Sequence, residues 1–126
     1  MAKQVIHTDA APKAIGTYSQ AVKCGNTVYV SGQIPLDPAS GQMVTGDIEA
    51  QIRRVFDNLK AIVTAADADF SKVAKVNVFL VDLGNFQVVN KVMSEYFREP
   101  YPARAAIGVA ALPKGAQVEI DCVVEL

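Results

Sequence analysis

Ala116-Gln-Val-Glu-Ile-Asp-Cys-Val-Val-Glu-Leu126 alternates at every second residue, and its reading decides the fold. Ala116, Val118, Ile120, Cys122, Val124 and Leu126 fall on one side, with Gln117, Glu119, Asp121, Val123 and Glu125 on the other. Successive strand side chains point to opposite faces, so this is a strand in a sheet with one apolar and one acidic face. The pattern recurs over 73–82, where Ala74, Val76, Val78 and Leu80 oppose Lys75, Asn77, Phe79 and Val81. It returns over 26–33, with Val28 and Val30 against Thr27, Tyr29 and Ser31; a Gly25-Asn26 turn joins that strand to one over 18–24. A further strand is expected over 104–111. Its bulkier Ile107 and Val109 should face the apolar side, leaving Arg104, Ala106, Gly108 and Ala110 on the face of Glu119. A hairpin about Pro113-Lys114 would set Arg104 opposite Val123, about 13 to 17 Å along the strand from Glu119.

Between the strands the period changes. From Asp47 to Ala66 the positions Ile48, Ile52, Val55, Phe56, Leu59, Ile62, Val63 and Ala66 recur at three and four, which predicts an amphipathic helix. Gly46 and Asp47 mark its start, and Asp47 and Glu49 put negative charge where the helix dipole favours it. A second helix is predicted from about Asn85 to Phe97, with the stripe Phe86, Val89, Met93, Tyr96 and Phe97; Pro100 and Pro102 stop it. Two helices cover one face of a sheet of five or six strands. The other face, with Tyr29, Ser31, Phe79, Glu119 and Val123, is too apolar to stay in water, so a homo-oligomer is expected.

With 126 residues, 51% of them hydrophobic, the chain reads as one domain over 1–126 with a single core. A net charge of −1 with scattered Lys and Arg argues against a nucleic-acid surface. No apolar run approaches the roughly 18 residues of a membrane span, and the first residues have no long apolar stretch, so a cytoplasmic protein without membrane contact is expected. Cys24 and Cys122 are far apart, each in an apolar run, and read as core residues; His7 is the one histidine and reads as surface. That inventory leaves no multi-histidine metal site and no cysteine framework for zinc, and neither a metal nor a cofactor is expected.

Arg104 stands alone in the small, apolar run Pro102-Ala-Arg-Ala-Ala-Ile-Gly-Val-Ala-Ala111. A guanidinium cannot shed its charge and needs an anion in such a place. Either a protein carboxylate such as Asp121 or Glu125 supplies it, or a ligand does.

Five motifs in order and register carry a resemblance: Pro12-Lys-Ala-Ile-Gly-Thr-Tyr18-Ser-Gln20, Val30-Ser31-Gly32-Gln33-Ile-Pro35, Asn90 in the second helix, Pro102-Ala-Arg104, and Leu112-Pro-Lys-Gly-Ala-Gln-Val-Glu119-Ile-Asp121. Over nearly the whole chain this resembles the reactive intermediate deaminase A family, formerly called YjgF. The resemblance implies an α+β, chorismate-mutase-like fold, a mixed six-stranded sheet with two helices on one face. It also implies a homotrimer with intersubunit active sites, and a last strand inserted between the 26–33 and 73–82 strands, against the hairpin above. The implied activity is hydrolysis of 2-imino and 2-enamino acids, released by pyridoxal-phosphate dehydratases, to 2-oxo acids and ammonia. Carried over residue by residue, Arg104 would hold the substrate carboxylate and Glu119 would orient and deprotonate a water. Tyr18, Ser31, Gly32 and Asn90 would contact substrate. Many members have Ser-Cys-Val after the arginine, whereas here Ala105, Ala106 and Ile107 follow, so thiol chemistry is excluded and the size of the substrate stays open. A second reading is a non-catalytic regulatory protein that binds a small carboxylate in the same cleft. Ribonuclease and translation-inhibitor labels, also used in the family, fit the charge and the lone histidine poorly.

Overall fold

Both apolar stripes become helices in the computed structural model, which describes residues 2–126. The first, α1, spans Ile48–Ala65, and the second, α2, spans Phe86–Tyr96. Asp47 caps α1, its carboxylate accepting the Ala50 N–H at 2.9 Å, so the cap chemistry read from sequence sets the start. The strands are β1 (Gln4–Ile6), β2 (Ala21–Cys24), β3 (Thr27–Gln33), β4 (Val73–Leu80), β5 (Ala103–Gly108) and β6 (Val118–Glu125). β1 has three residues, one of them buried, too short for alternation to reveal it in the sequence.

The sheet order is β1-β2-β3-β6-β4-β5. β6 lies between β3 and β4 and is antiparallel to both, so the family topology holds and the hairpin does not form. The physical reason is in the two connections. β4 and β5 are joined through α2, and a helical crossover returns the chain parallel to its starting strand. Residues 109–117, with a short 3₁₀ turn at Pro113–Gly115, then pass the end of β4, where the Val81 N–H donates to the Gln117 carbonyl at 3.2 Å. The segment bridges one strand instead of turning back on β5.

That parallel register also reverses the expected facing of β5. Arg104 pairs with Val76 and Ala106 with Val78, and both valines are buried under the helices. Arg104, Ala106 and Gly108 therefore share the helix face, while Ile107, 49% exposed, looks the other way. An edge strand lying beyond most of the helical cover gains nothing by pointing its bulky residue there; the small Ala106 packs against the core and Gly108 lies beside Leu83.

The core lies between the helices and the apolar face of β3, β6 and β4. Val28, Val76, Val78, Val118, Ile120 and Val124 meet Ile52, Val55, Phe56, Leu59, Ile62 and Val63 there, none more than 1% exposed. Phe56 stacks on Tyr96, and Phe70 on Phe97, which ties α1 to the end of α2. Arg53 strengthens the tie outside, bridging Glu49 at 3.0 Å and Glu95 at 2.8 Å. Cys122 is buried as expected, but Cys24 is exposed, because β2 ends there at the turn into β3. His7 lies at the surface beside Asp9.

Asn58 is fully buried on α1, and its amide donates to the Leu36 carbonyl at 2.9 Å and, more weakly, to that of Ile34 at 3.4 Å, pinning the loop after β3. Asn58→Leu keeps the volume and orphans those carbonyls, which should cost about 1 to 3 kcal/mol. Urea unfolding at fixed protein concentration reads this; a loss below about 0.5 kcal/mol would show that the loop finds other partners.

Candidate functional site

Two clefts hold all six residues singled out from the sequence, and the sheet keeps them apart. The first is built on a bulge in β3. Val30 pairs with Cys122 and Gln33 with Ile120, so Ser31 and Gly32 together oppose the single residue Asp121. The bulge turns Gln33 into the core and brings the Gly32 backbone against Glu119. A Cβ at position 32 would fall on the Glu119 carboxylate, so the glycine lets that side chain keep this position against the bulge. The Ser31 hydroxyl donates to the Ser19 carbonyl. Tyr18 is 52% exposed and its Oη accepts the Ile15 N–H at 3.2 Å, which leaves its own O–H free to donate outward. Tyr18, Ser31, Gly32 and Glu119 line one cleft of about 530 Å³, with Lys13 and Lys114 also on its wall.

Partial burial raises the pKa of Glu119 above the usual carboxylate range, and the negative charge of Asp121, two residues along the same face, adds to the rise. Asp121 is in turn held by the Asn77 amide, which donates to its Oδ1 at 2.8 Å. A carboxyl lifted in this way is better matched to giving and taking a proton near neutrality than an ordinary surface glutamate.

The second cleft, of about 460 Å³, lies where α2 meets β5 and is lined by Asn90, Met93, Ser94, Tyr101, Pro102 and Arg104. The guanidinium is placed by neutral groups. One Arg104 nitrogen donates to the Asn90 Oδ1 at 2.6 Å and lies 3.6 Å from the Met93 sulfur, and the group sits 4.8 Å above the Phe86 ring. Phe86 and Asn90 are four apart on α2, so they form one wall. Sequence reading had taken Phe86 only as core; its i, i+4 spacing from Asn90 is the signal that could have paired them. Beside this cleft a further hollow of about 440 Å³ includes Phe86, Leu83 and Ala106.

No carboxylate of the described residues pairs with Arg104. Asp121 is bound to Asn77, and Glu125 accepts the Thr27 hydroxyl at 2.7 Å, both away from α2. The ring face and the amide orient the guanidinium without cancelling its charge, which leaves it open to an incoming anion. Its strand is a largely exposed edge, where a small, apolar run of this kind would ordinarily form a half-buried strand.

Arg104 and Glu119 are not brought together within the chain. Arg104 sits beside Val76 and Glu119 opposite Phe79, three residues apart on β4 and hence on opposite faces of the sheet. The expectation that both share the uncovered face is overturned by the parallel pairing of β5. A separate cleft of about 450 Å³ near the helix ends, walled by Phe70, Tyr96, Phe97 and Arg98, contains none of the six.

Comparison with known proteins finds the same fold elsewhere. The family described as Endoribonuclease L-PSP matches residues 8–126. The chain is 54% identical over 125 residues to Protein DfrA of Myxococcus xanthus, covering 98% of this chain and 95% of that one. It is 49% identical to the 2-iminobutanoate/2-iminopropanoate deaminase of Dermatophagoides farinae over 122 residues, 97% of this chain and 95% of the other. The crystal structure of RidA from the Antarctic bacterium Psychrobacter sp. PAMC 21119 superposes with a TM-score of 0.94 at 53% identity, over 98% of this chain and 99% of that one.

Since Asp121 contributes to the raised pKa of Glu119, Asp121→Asn should move the Glu119 carboxyl titration to lower pH, as followed by carbon-detected NMR. An unmoved titration would mean that burial alone sets it.

Proposed function

The chain belongs to the endoribonuclease L-PSP family, that of the reactive intermediate deaminase A proteins, and we propose that it hydrolyses 2-imino acids to 2-oxo acids and ammonia in a site completed by two subunits. The observation that carries this reading is the guanidinium of Arg104, oriented by Asn90 and Phe86 and left without a carboxylate. A forked cation presented in this way suits a carboxylate, which it can grip through two parallel hydrogen bonds.

The rest of the reaction needs little. A protonated C=N carbon is already electrophilic, so the protein has to position a water and handle protons. Glu119 takes a proton from the water as its oxygen bonds to the imine carbon. Glu119 passes that proton to the amino nitrogen of the resulting carbinolamine, the C–N bond breaks as the hydroxyl gives its own proton back to Glu119 to form the C=O of a 2-oxo acid, and ammonia leaves and takes up that proton as ammonium. Tyr18 donates its free O–H to the substrate, and the Gly32 backbone, bare of a side chain, lets the substrate approach Glu119 closely. Asn90 holds Arg104 and borders the carboxylate site. The word endoribonuclease in the family description is not carried to this chain, whose lone histidine is a surface residue and whose net charge is −1.

Because the two halves face opposite ways in one chain, Arg104 of one subunit would meet the Glu119 cleft of the next. The half-exposed apolar residues Tyr29, Ile107 and Val81, at 51%, 49% and 43%, give that assembly surface to bury. A closed ring of three satisfies every such contact, with one site per boundary.

A threonine dehydratase coupled to the protein tests the activity: 2-oxobutanoate should appear faster than spontaneous hydrolysis allows. Binding of 2-oxobutanoate with no acceleration would favour a sensor. Arg104→Ala should lower kcat/KM by about 3 to 5 kcal/mol, roughly a hundred- to several-thousandfold. Glu119→Gln should bind and turn over slowly. Mixing the two dead variants under subunit exchange discriminates further, since about a quarter of the boundaries in a random equal mixture join an intact Arg104 half to an intact Glu119 half. Recovery of activity toward that fraction is expected; a mixture as inactive as its parents would place the whole site within one chain.

A further inference from the structure

We propose that Gln20 is the positioning residue that holds the loop before β2, and with it Tyr18, over the Glu119 cleft. The proposal rests on Tyr18 contacting substrate, as above. Gln20 touches neither cleft. It is 2% exposed, directly before β2, and its side chain is spent on one stretch of backbone. Oε1 accepts the Thr8 N–H at 2.7 Å, while the Nε2 amino group is shared among the carbonyls of Thr8 at 3.0 Å, Pro12 at 2.8 Å and Ala11 at 3.4 Å.

Residues 7–20 form neither helix nor strand, so their buried polar backbone groups have no ladder to use. One amide side chain takes four of those contacts. The root of the loop is fixed there, with Ala11 and Pro12 buried, and everything from Ile15 to Tyr18 stands exposed beyond it. The same residue reaches the bulge. Its backbone carbonyl accepts the Ser31 N–H at 2.9 Å, and the neighbouring Ser19 carbonyl takes the Ser31 hydroxyl. Gln20 therefore holds the root of the loop through its side chain and the bulge of β3 that faces Glu119 through its backbone carbonyl, with Tyr18 carried on the stretch between Pro12 and Gln20.

Gln20→Met keeps the length and burial of the side chain and removes its hydrogen bonds. Water can satisfy the loop backbone only if the loop swings outward, taking Tyr18 with it. The test is a double-mutant cycle read by binding of 2-oxobutanoate, with circular dichroism and sedimentation reporting fold and assembly. Tyr18→Phe should weaken binding about tenfold in the otherwise unaltered protein and less than about twofold in the Gln20→Met background, the non-additivity expected when one residue acts through another. Tryptic cleavage after Lys13 should accelerate in Gln20→Met.

An equal Tyr18→Phe loss in both backgrounds would overturn the proposal, since a merely destabilising change leaves the two effects additive. No loss in the unaltered protein would instead refute contact between Tyr18 and ligand, and the role of Gln20 falls with it. If Gln20→Met does not fold, Gln20→Asn carries the same cycle, because it keeps a neutral amide but draws it back by one methylene from Thr8 and Pro12.

Discussion

β6 is the constraint on which the other elements depend. It pairs on both sides along most of its length, and its apolar residues Val118, Ile120, Cys122 and Val124 form the floor on which α1 packs. With that strand central, β3 and β4 share no hydrogen-bond ladder, and the pairing between the halves of the sheet runs through it. The polar residues Glu119 and Asp121 are fixed on the opposite side by the same alternation that buries their neighbours. The core and the Glu119 carboxylate are thus two faces of one strand, and neither can be shifted without moving the other.

The placement of Arg104 comes from a different rule. β5 enters through a helical crossover, so it runs parallel to β4 and lies at the edge. Parallel neighbours share their facing, which sends Arg104 toward α2, where Phe86 and Asn90 stand one turn apart. The guanidinium is held by a ring and an amide, both neutral, so its orientation is fixed while its charge remains available. An acid in either position would have made a sound ion pair and a poor anion site.

The parts of this arrangement that rest on periodicity were readable from the residues. The α1 stripe, the Asp47 cap, the α2 bounds and the alternation in β4 and β6 all follow from spacing and match the structure within a residue or two. What spacing does not encode is strand order. A hairpin between β5 and β6 satisfied the local pattern, and it failed because the return of β5 through α2 and the bridge over β4 are decisions of topology. The facing of Arg104 failed with it: in a strand as uniformly small as 103–108, the bulk of Ile107 was the only local cue, and an edge strand does not obey it. The family motifs supplied the order that the pattern could not. Gln20 was quoted within one of those motifs, yet nothing in a linear string marks an amide as the fastening of a loop eight to twelve residues earlier.

The two thiols differ in a way that the sequence did not suggest. Burial and the adjacent Asp121 push the Cys122 thiol up to about 12, so at mildly alkaline pH it stays in the unreactive protonated form. Cys24 is open to solvent at the end of β2 and lines neither cleft. Each polypeptide consequently carries a single chemically addressable handle, at which a fluorophore or spin label can be attached while the interior sulfur stays untouched.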